Sequence, residues 1–324
     1  MSLYKLFLPL ALVLLLPVSS YGQGLRVGFY QYTCPQVEEI IRKETTKVIS
    51  RAPSLAGPLL RMHFHDCFVN GCDGSVLLNA TNGNPAEKDS IPNLSLRGFG
   101  VIDGVKAKLE KACPGVVSCA DILTIVARDV VFLTKGPNWD VLTGRRDGFR
   151  SVAAEALNNL PPPFLTAIQN LNQFFIPKGL NAKDQVVLLG GHTIGTSHCS
   201  SFSDRLYNFN RSGKADPSLD KNYLPRLMSK CKPNDVKTLA EMDPGSFRTF
   251  DTGFYKQVAK RRSLFTSDQT LMLDPESKAY IERQAVGDQT EFFRDFAVSM
   301  VKMGNIQVLT GTQGEIRKHC AFVN

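Results

Sequence analysis

Helical periodicity extends through nearly the whole chain and limits the folds that it can adopt. Apolar residues recur at the spacing of one helix face in three stripes: Val101, Val105 and Leu109, with Ile102 alongside; Leu165, Ile168, Leu171 and Phe175; and Phe292, Phe293, Phe296, Met300 and Val301. Segments with strand-like alternation are few and short. The pattern predicts an all-α protein with minor β elements.

Two local signals divide this helical pattern. Ser118-x-x-Asp121 is a capping-box pattern, and it predicts a helix that begins there and contains the apolar run 122–131. Pro161, Pro162 and Pro163 fix the backbone and keep the preceding residue out of the α region. We expect one domain, 23–324, in which an extended segment separates a lobe formed mainly by 23–160 from one formed mainly by 161–324, with a cofactor held between them.

Residues 1–22 resemble a secretory signal peptide. Lys5 precedes an apolar stretch, Leu6–Val18, and the small residues Ser20 and Gly22 mark a cleavage site. The apolar stretch is too short to span a membrane comfortably. We predict an exported, extracellular protein that begins near Gln23, whose N-terminus can cyclise.

Eight cysteines in an exported chain predict four disulfides, because this compartment oxidises thiols. Cys67 and Cys72 are close enough to close a local loop, but spacing leaves about 105 pairings of the eight open. A zinc site, as in a zinc hydrolase, is the alternative. It is disfavoured because the sequence contains no CxxC pair.

The chain is mildly basic. Its net charge of +8 becomes +7 when residues 1–22, with one Lys and no acid, are removed. The charge is spread along the chain, and the one tight cluster, Lys260-Arg261-Arg262, is best interpreted as a solvated turn. This predicts loose attraction to acidic wall polysaccharide and excludes nucleic-acid recognition, because no base-reading aromatics accompany the charge.

Two segments contain the candidate catalytic residues. In a helical Arg61-Met62-His63-Phe64-His65, Arg61 and His65 are an i, i+4 pair on one face, where a cation sits beside a titratable imidazole. Far downstream, Gly190-Gly191-His192 places a possible metal ligand next to glycines that allow a bulky ligand to approach, although the glycines also suit a helix end. These residues suggest a haem enzyme that cleaves a peroxide, but a packed polar pair and a structural His remain the alternatives.

Two oxygen-rich stretches are candidate calcium sites. Asp66, Gly71, Asp73 and Ser75 surround the local cysteine loop, and Asp243, Ser246 and Asp251 form the second stretch. Calcium prefers carboxylate and carbonyl oxygens in a closed loop, yet solvated turns have the same composition.

The long motifs decide between these alternatives by resemblance. Arg-x-His-Phe-His-Asp-Cys-Phe-Val-Asn-Gly-Cys-Asp-Gly-Ser at 61–75 resembles the distal haem motif of the class III plant secretory peroxidases. Further family-like motifs follow in order at 117–123, 144–147, 190–195, 267–269 and 303–305, so the resemblance covers essentially the whole mature chain.

The resemblance implies roles for several residues around one haem b. His192 would be the proximal iron ligand, and Asp268 would accept its other ring N–H. His65 would take a proton from hydrogen peroxide and return it to the leaving oxygen, while Arg61 stabilises the developing charge. Asn93, with Glu87 behind it, would orient His65.

The resemblance also implies sites for two calcium ions, a donor entrance and a disulfide pattern. The donor would be received at Pro161 and Phe164. The distal calcium ligands would be Asp66, Val69, Gly71, Asp73 and Ser75; the proximal ones Thr193, Asp243, Ser246, Thr249 and Asp251. The implied disulfides are Cys34–Cys113, Cys67–Cys72, Cys119–Cys320 and Cys199–Cys231.

Three sequons begin at Asn79, Asn93 and Asn210. We expect Asn93 to be unglycosylated, because the resemblance implies that its side chain faces inward. The expected function is that of a monomeric, secreted haem peroxidase that oxidises phenolic donors one electron at a time, in lignin, suberin or defence chemistry. A haem-binding wall protein with little turnover is the alternative from the binding class.

Overall fold

Thirteen α-helices form most of the regular structure in residues 24–324, the part of the chain that the computed structural model describes. The predicted signal peptide and Gln23 lie outside these residues. None of the helices in the described part combines the length and apolarity needed to cross a membrane. The helices are α1 Val37–Arg51, α2 Ala56–Val69, α3 Phe99–Ala112, α4 Cys119–Leu133, α5 Ala153–Asn159, α6 Ala167–Asn170, α7 Ala182–Leu189, α8 Ser203–Tyr207, α9 Leu224–Lys230, α10 Gly253–Ala259, α11 Thr266–Gln269, α12 Pro275–Val286 and α13 Thr290–Gly304.

The β structure of the described residues is one small antiparallel sheet. Strand β1, Thr196–His198, pairs with β2, Leu239–Glu241, with Ser197 opposite Ala240. Several 3₁₀ turns complete the architecture, including Ile91–Asn93 and Gly190–Thr193. The prediction of an all-α protein with minor β elements is confirmed.

Helix α4 is the centre of the first half of the molecule. Every residue from Cys119 to Val131 is buried, and the helix packs against α1, α2 and α3. Ser118 caps it as predicted, since its Oγ accepts a hydrogen bond from the Asp121 backbone N–H at 3.1 Å. The reciprocal half of the capping box was predicted wrongly, because the Asp121 carboxylate turns to a buried ion pair with Arg145 at 2.8 Å and a hydrogen bond from Tyr30 Oη at 2.7 Å.

The second half contains one confirmed stripe and one that is partly wrong. Phe292, Phe296 and Met300 of α13 are buried as expected, Phe293 and Val301 are partly buried, and α13 packs against α7. Around α6, however, Ile168 is 56% exposed. A π-helical turn at Leu171–Phe175 widens the helix and changes which residues face the core, so the simple 3.6-residue pattern fails there.

The two halves meet along α2. This helix contacts both α13 and the 3₁₀ turn that contains His192. At its first turn, a Cβ on Gly57 would lie only 2.9 Å from Gly195 Cα, so glycine is required for the close approach of the two backbones. Buried residues from both halves contribute to the main hydrophobic core. The division into lobes near residue 160 stays a prediction.

Four disulfides link the described chain, and no cysteine in it is free. The pairs are the four that the resemblance implies: Cys34–Cys113, Cys67–Cys72, Cys119–Cys320 and Cys199–Cys231. Cys67–Cys72 joins the end of α2 to the following loop, and Cys119–Cys320 ties the start of α4 to the C-terminal segment.

Candidate active site

Helix α2 places Arg61 and His65 on one face, one turn apart, as the sequence predicts. His65 is 3% exposed, whereas the Arg61 side chain is half-buried. Two groups from the 3₁₀ turn and the residues after it hold the guanidinium of Arg61. Its Nη1 donates to Ser95 Oγ at 2.8 Å, and its Nη2 donates to the Pro92 carbonyl at 2.6 Å.

Asn93 determines how the His65 ring is oriented. Its Nδ2 donates to the backbone carbonyl of Glu87 at 2.8 Å, which leaves Oδ1 to accept from His65 Nδ1–H at 2.5 Å. Nε2 is then the unprotonated nitrogen of a neutral ring and can accept a proton. Glu87 therefore supports Asn93 through its backbone, while its carboxylate accepts from Asn70 at 3.4 Å.

The electrostatics of this pair keep the base neutral and the cation charged. The pKa of His65 lies well below its usual value, mainly because the ring is buried and secondly because Arg61 is positively charged. The hydrogen bond to Asn93 opposes this shift. Burial lowers the pKa of Arg61 to about 10, so it stays protonated at neutral pH. The pair thus combines a proton acceptor with a fixed positive charge.

His192 has the arrangement of a metal-ligating imidazole. Its Nδ1–H donates to Asp268 Oδ1 at 3.0 Å, which fixes the tautomer and makes Nε2 the nitrogen for a metal. Asp268, in α11, is fully buried, and its Oδ2 has no hydrogen-bond partner among residues 24–324. Phe254 and Phe265 pack edge-on against the imidazole, with ring centroids 5.9 and 5.4 Å away.

The two glycines before His192 have different packing environments. A Cβ on Gly190 would lie 2.5 Å from Tyr255 Oη and 2.6 Å from Phe292 Cε2, so glycine is required there by aromatic packing. A Cβ on Gly191 would meet Leu60 Cδ2 at 3.5 Å, an ordinary contact. The expectation that Gly190 makes room for a bulky ligand is therefore wrong; it makes room for the protein's own core.

The predicted distal calcium ligands lie in the last turn of α2 and in the loop that follows it. The carboxylate of Asp66 accepts from the backbone N–H of Gly74 at 3.0 Å, and that of Asp73 accepts from Ser75 at 2.9 Å. Val69 is the last residue of α2, where its carbonyl accepts from Asn159 Nδ2 at 3.1 Å, and Gly71 lies in the loop two residues later. Burial raises the pKa of Asp66 well above its usual value, and the negative charge of Asp73 adds to this shift. Burial also raises the pKa of Asp73 to about 6. Such a pair of desolvated carboxylates is suited to a cation.

The predicted proximal calcium ligands also converge. Asp251 accepts hydrogen bonds from Thr193 Oγ1 at 3.1 Å and Ser246 Oγ at 2.7 Å. Asp243 is buried, and its Oδ2 lacks a partner within the described chain. Burial raises the pKa of Asp243 to about 6. The backbone N–H of Thr249 donates to the Ser246 carbonyl at 2.7 Å, and this hydrogen bond holds Thr249 beside the other predicted proximal ligands.

The predicted distal and proximal calcium sets would each supply hydroxyl and carbonyl oxygens as well as carboxylates. Within residues 24–324, no three His, Cys, Asp or Glu side chains are grouped to hold a metal. Each predicted set contains two carboxylates, which fits a hard cation with mixed oxygen ligands and not a zinc site.

The predicted donor entrance lies at the surface. Pro161 is half-buried, and Phe164 is 61% exposed. The neighbouring Pro163 carbonyl accepts from the Ser267 N–H at 3.1 Å, which ties this segment to α11 and therefore to Asp268.

Sequence reasoning missed Ser95, Phe254 and Phe265. Ser95 was visible only as the third residue of the Asn93 sequon, and no spacing rule connects it to Arg61. The two phenylalanines had no sequence signal beyond apolar character.

A neutral base beside a cation on α2, together with an imidazole whose Nδ1–H is bound by a buried carboxylate, is the set of groups that an oxidoreductase using haem and peroxide would need. The comparisons with known proteins agree. A family model described as "Peroxidase" matches residues 41–287. The chain is 58% identical to "Peroxidase 1" of Oryza sativa subsp. japonica, over 91% of this chain and 92% of that protein. It is 55% identical to "Peroxidase 27" of Arabidopsis thaliana (96% of each) and 51% identical to "Peroxidase 39" of the same plant, over the full length of both.

The chain therefore belongs to the peroxidase family and is a class III plant peroxidase, a haem enzyme that oxidises donors with hydrogen peroxide. Its residues fit the cofactor: Asp268 Oδ1 accepts the Nδ1–H of His192, which leaves Nε2 of that imidazole available to a metal.

Proposed function

We propose that this peroxidase is secreted and oxidises small phenolic donors, with one haem b held by His192 and two calcium ions at the sites described above. The observation that supports this most strongly is the hydrogen bond from His65 Nδ1–H to Asn93 Oδ1, one helical turn from an anchored Arg61. It gives the site a neutral base at Nε2 and a positive charge in fixed positions.

The chain's own residues would manage the protons and the charge of peroxide cleavage. Haem, when bound, supplies the redox chemistry that passes electrons from donors to peroxide. His65 Nε2 would accept a proton from one peroxide oxygen and deliver it to the other, so that the leaving group departs as water. Arg61 would stabilise the negative charge that develops as the O–O bond breaks. Asp268 would make His192 a more strongly donating ligand by accepting its Nδ1–H.

The calcium ions would hold elements of both lobes in place. The distal set begins at Asp66, one residue after His65, and the proximal set includes Thr193, next to His192. Each ion would neutralise carboxylates that burial makes costly to charge. Donors would approach at Pro161 and Phe164, and the radicals released there would couple in lignin, suberin or defence chemistry, or the enzyme would simply remove peroxide.

Secretion is supported by the four disulfides and the signal-like N-terminus. Asn93 is 2% exposed and its Nδ2 is hydrogen-bonded to Glu87, which supports an unglycosylated sequon, whereas Asn79 and Asn210 are exposed. Glycopeptide mass spectrometry that found Asn93 fully occupied in active enzyme would contradict this assignment.

Rapid mixing of the purified, haem-loaded enzyme with hydrogen peroxide tests the proposed function. The haem spectrum should change within milliseconds to seconds, and a phenolic donor should restore it. His65→Leu should slow the first change by about 10²–10⁴-fold with unchanged haem content, whereas His192→Leu should impair haem binding itself. A His65→Leu enzyme with the wild-type rate would overturn the proposed role of His65.

A further inference from the structure

Arg205 is a buried cation on α8 to which neither the sequence nor the proposed function gives a role. Its side chain is 1% exposed, and its Nε pairs at 2.8 Å with the carboxylate of Asp216, which is 3% exposed. Leu206 and Leu219, close to the pair in sequence, belong to the smaller of the two hydrophobic clusters. Because two apolar residues of similar volume often stabilise a core as well as a buried ion pair does, stability alone does not explain an arginine here.

The other donors of the Arg205 guanidinium hold a separate segment of the chain. Nη2 donates to Ser218 Oγ at 3.1 Å. Nη1 lies within hydrogen-bonding distance of three successive backbone carbonyls, at 2.7, 3.0 and 3.1 Å, which belong to Ser263, Leu264 and Phe265. A planar guanidinium with five N–H groups can pair with a carboxylate and hold several carbonyls at once, whereas an ammonium group cannot. Arg205 therefore fixes the backbone of residues 263–265.

The segment that Arg205 holds leads directly into α11, the helix that contains Asp268. The Phe265 carbonyl accepts the hydrogen bond that closes the first turn of this helix, from the Gln269 N–H at 3.1 Å. The Ser263 hydroxyl adds a second link, because it donates to Gln269 Oε1 at 2.9 Å. A displacement of residues 263–265 would therefore displace the turn from which Asp268 projects.

Two contacts connect this segment and the following turn to the imidazole of His192. The Phe265 ring packs edge-on against it, with the ring centroids 5.4 Å apart. Three residues later, Asp268 Oδ1 accepts the Nδ1–H of His192 at 3.0 Å. The hydrogen-bond partner of a metal-ligating histidine sets the orientation of the ring and how strongly it donates electrons to the metal. The position of residues 263–265 thus bears on the metal-binding properties of His192.

We propose that Arg205 is a positioning residue for the imidazole of His192. By holding the carbonyls of residues 263–265, it keeps Phe265 and Asp268 in place against that ring. This inference rests on the proposed ligation of haem iron by His192. If the segment is held less firmly, Asp268 accepts the Nδ1–H less well, the imidazole donates more weakly, and bound iron favours its reduced, ferrous state.

Two variants weaken these contacts to different degrees. Arg205→Lys keeps a positive charge beside Asp216, but its ammonium group cannot also hold three carbonyls and Ser218. Ser218→Ala is the milder change, because it removes the partner of Nη2 and leaves the ion pair and the carbonyl contacts in place.

Arg128→Lys is the matched control. Arg128 is also buried, at 4% exposed, and it also combines a carboxylate partner, Asp129, with a backbone carbonyl, that of Trp139. It lies on α4, in the first half of the molecule, away from the segment that precedes α11. Its replacement should lower the melting temperature without affecting the iron.

The test measures the ferric–ferrous equilibrium and the iron–imidazole stretching band of the ferrous holoenzyme, with the melting temperature in parallel. Arg205→Lys should shift the equilibrium toward ferrous iron by about three- to tenfold, which is less than the roughly 10–100-fold effect of losing such a hydrogen-bond partner outright. A tenfold shift corresponds to about 59 mV for one electron. The stretching band should move to lower frequency, and Ser218→Ala should change both quantities in the same direction by a smaller amount.

A purely structural role for Arg205 would lower the melting temperature and leave the iron signals unchanged. Wild-type equilibrium and band position in both variants would therefore overturn the inference, as would an equal shift in Arg128→Lys. If Arg205→Lys does not yield haem-loaded protein, Ser218→Ala decides, and wild-type iron signals in that variant overturn the inference. A wild-type enzyme that lacks the iron–imidazole band would instead contradict ligation by His192, and this inference with it.

Discussion

Ser95 binds the guanidinium of Arg61, the cation that we propose acts on peroxide, so removing the Ser95 hydroxyl should slow the reaction with peroxide. Arg61 has two anchors: Ser95 Oγ accepts from Nη1 at 2.8 Å, and the Pro92 carbonyl accepts from Nη2 at 2.6 Å. Ser95→Ala removes the first anchor and leaves the second, because the second is backbone. The guanidinium then keeps its charge and one contact but loses its fixed orientation.

The expected magnitude follows from these two contacts. Complete loss of a positioned charge-stabilising donor costs about 10²–10³ in rate, or roughly 3–4 kcal/mol. A hydrogen bond to a charged group contributes about 1.5–3 kcal/mol, and only the part that is felt in the transition state affects the rate. With one of two anchors retained, we expect about a tenfold loss, which corresponds to roughly 1.4 kcal/mol.

Rapid mixing with hydrogen peroxide, without donor, measures this step directly as a second-order rate constant. Ser95→Thr is the matched control, since it keeps both a hydroxyl and the Asn93 sequon, and it should stay within about threefold of wild type. Ser95→Ala deletes the sequon as well, so glycopeptide analysis of the wild type must show Asn93 unmodified. A Ser95→Ala enzyme with normal haem content and a rate within about twofold of wild type would refute the positioning role.

Three further predictions concern charge and packing. Arg61→Gln removes a charge that lowers the pKa of His65, so the acid limb of the peroxide rate profile should move to higher pH. After calcium chelation, the melting temperature should fall as pH rises from about 5 to about 8. Burial raises the pKa of Asp73 to about 6 and that of Glu87 to about 9, so the folded state binds more protons than the unfolded state in this range and loses stability as the pH rises. A melting temperature that does not change with pH would contradict this. Gly190→Ala should cost about 1–3 kcal/mol and lower the melting temperature by several degrees, while Gly191→Ala should be tolerated.

Sequence periodicity predicted the helices well where the core is regular. Helices α3, α4 and α13 bury most of the residues that the stripes identify, because each packs one continuous face, although Val101 in the first turn of α3 is only partly buried. The pattern failed at Ile168, where a π-helical turn changes the register, and at Asp121, where a buried arginine outcompetes the helix terminus. Both failures come from tertiary contacts that a local pattern does not contain.

In the candidate site, too, local pairs could be predicted from spacing, whereas contacts between distant parts of the chain could not. The Arg61–His65 pair is local, and its i, i+4 spacing sufficed. The pairs His65–Asn93 and His192–Asp268 are separated by 28 and 76 positions, and only the resemblance suggested them. Ser95 was not predicted by either route, because its role depends on how the turn after Pro92 folds back on α2.

Several of the predicted site residues lie on α2, and contacts with other parts of the fold fix both ends of this helix. At its first turn, α2 is fixed by the approach of Gly57 to Gly195, three residues after His192. At its end, Cys67 is cross-linked to Cys72, and Asp66 is bonded into the loop of the predicted distal calcium set. Arg61 and His65 lie between these two fixed ends. Catalytic groups act efficiently only within about 0.5 Å of their productive positions. The glycine contact, the disulfide and the loop of the predicted distal calcium set therefore restrict where α2 can lie relative to the segment that contains His192.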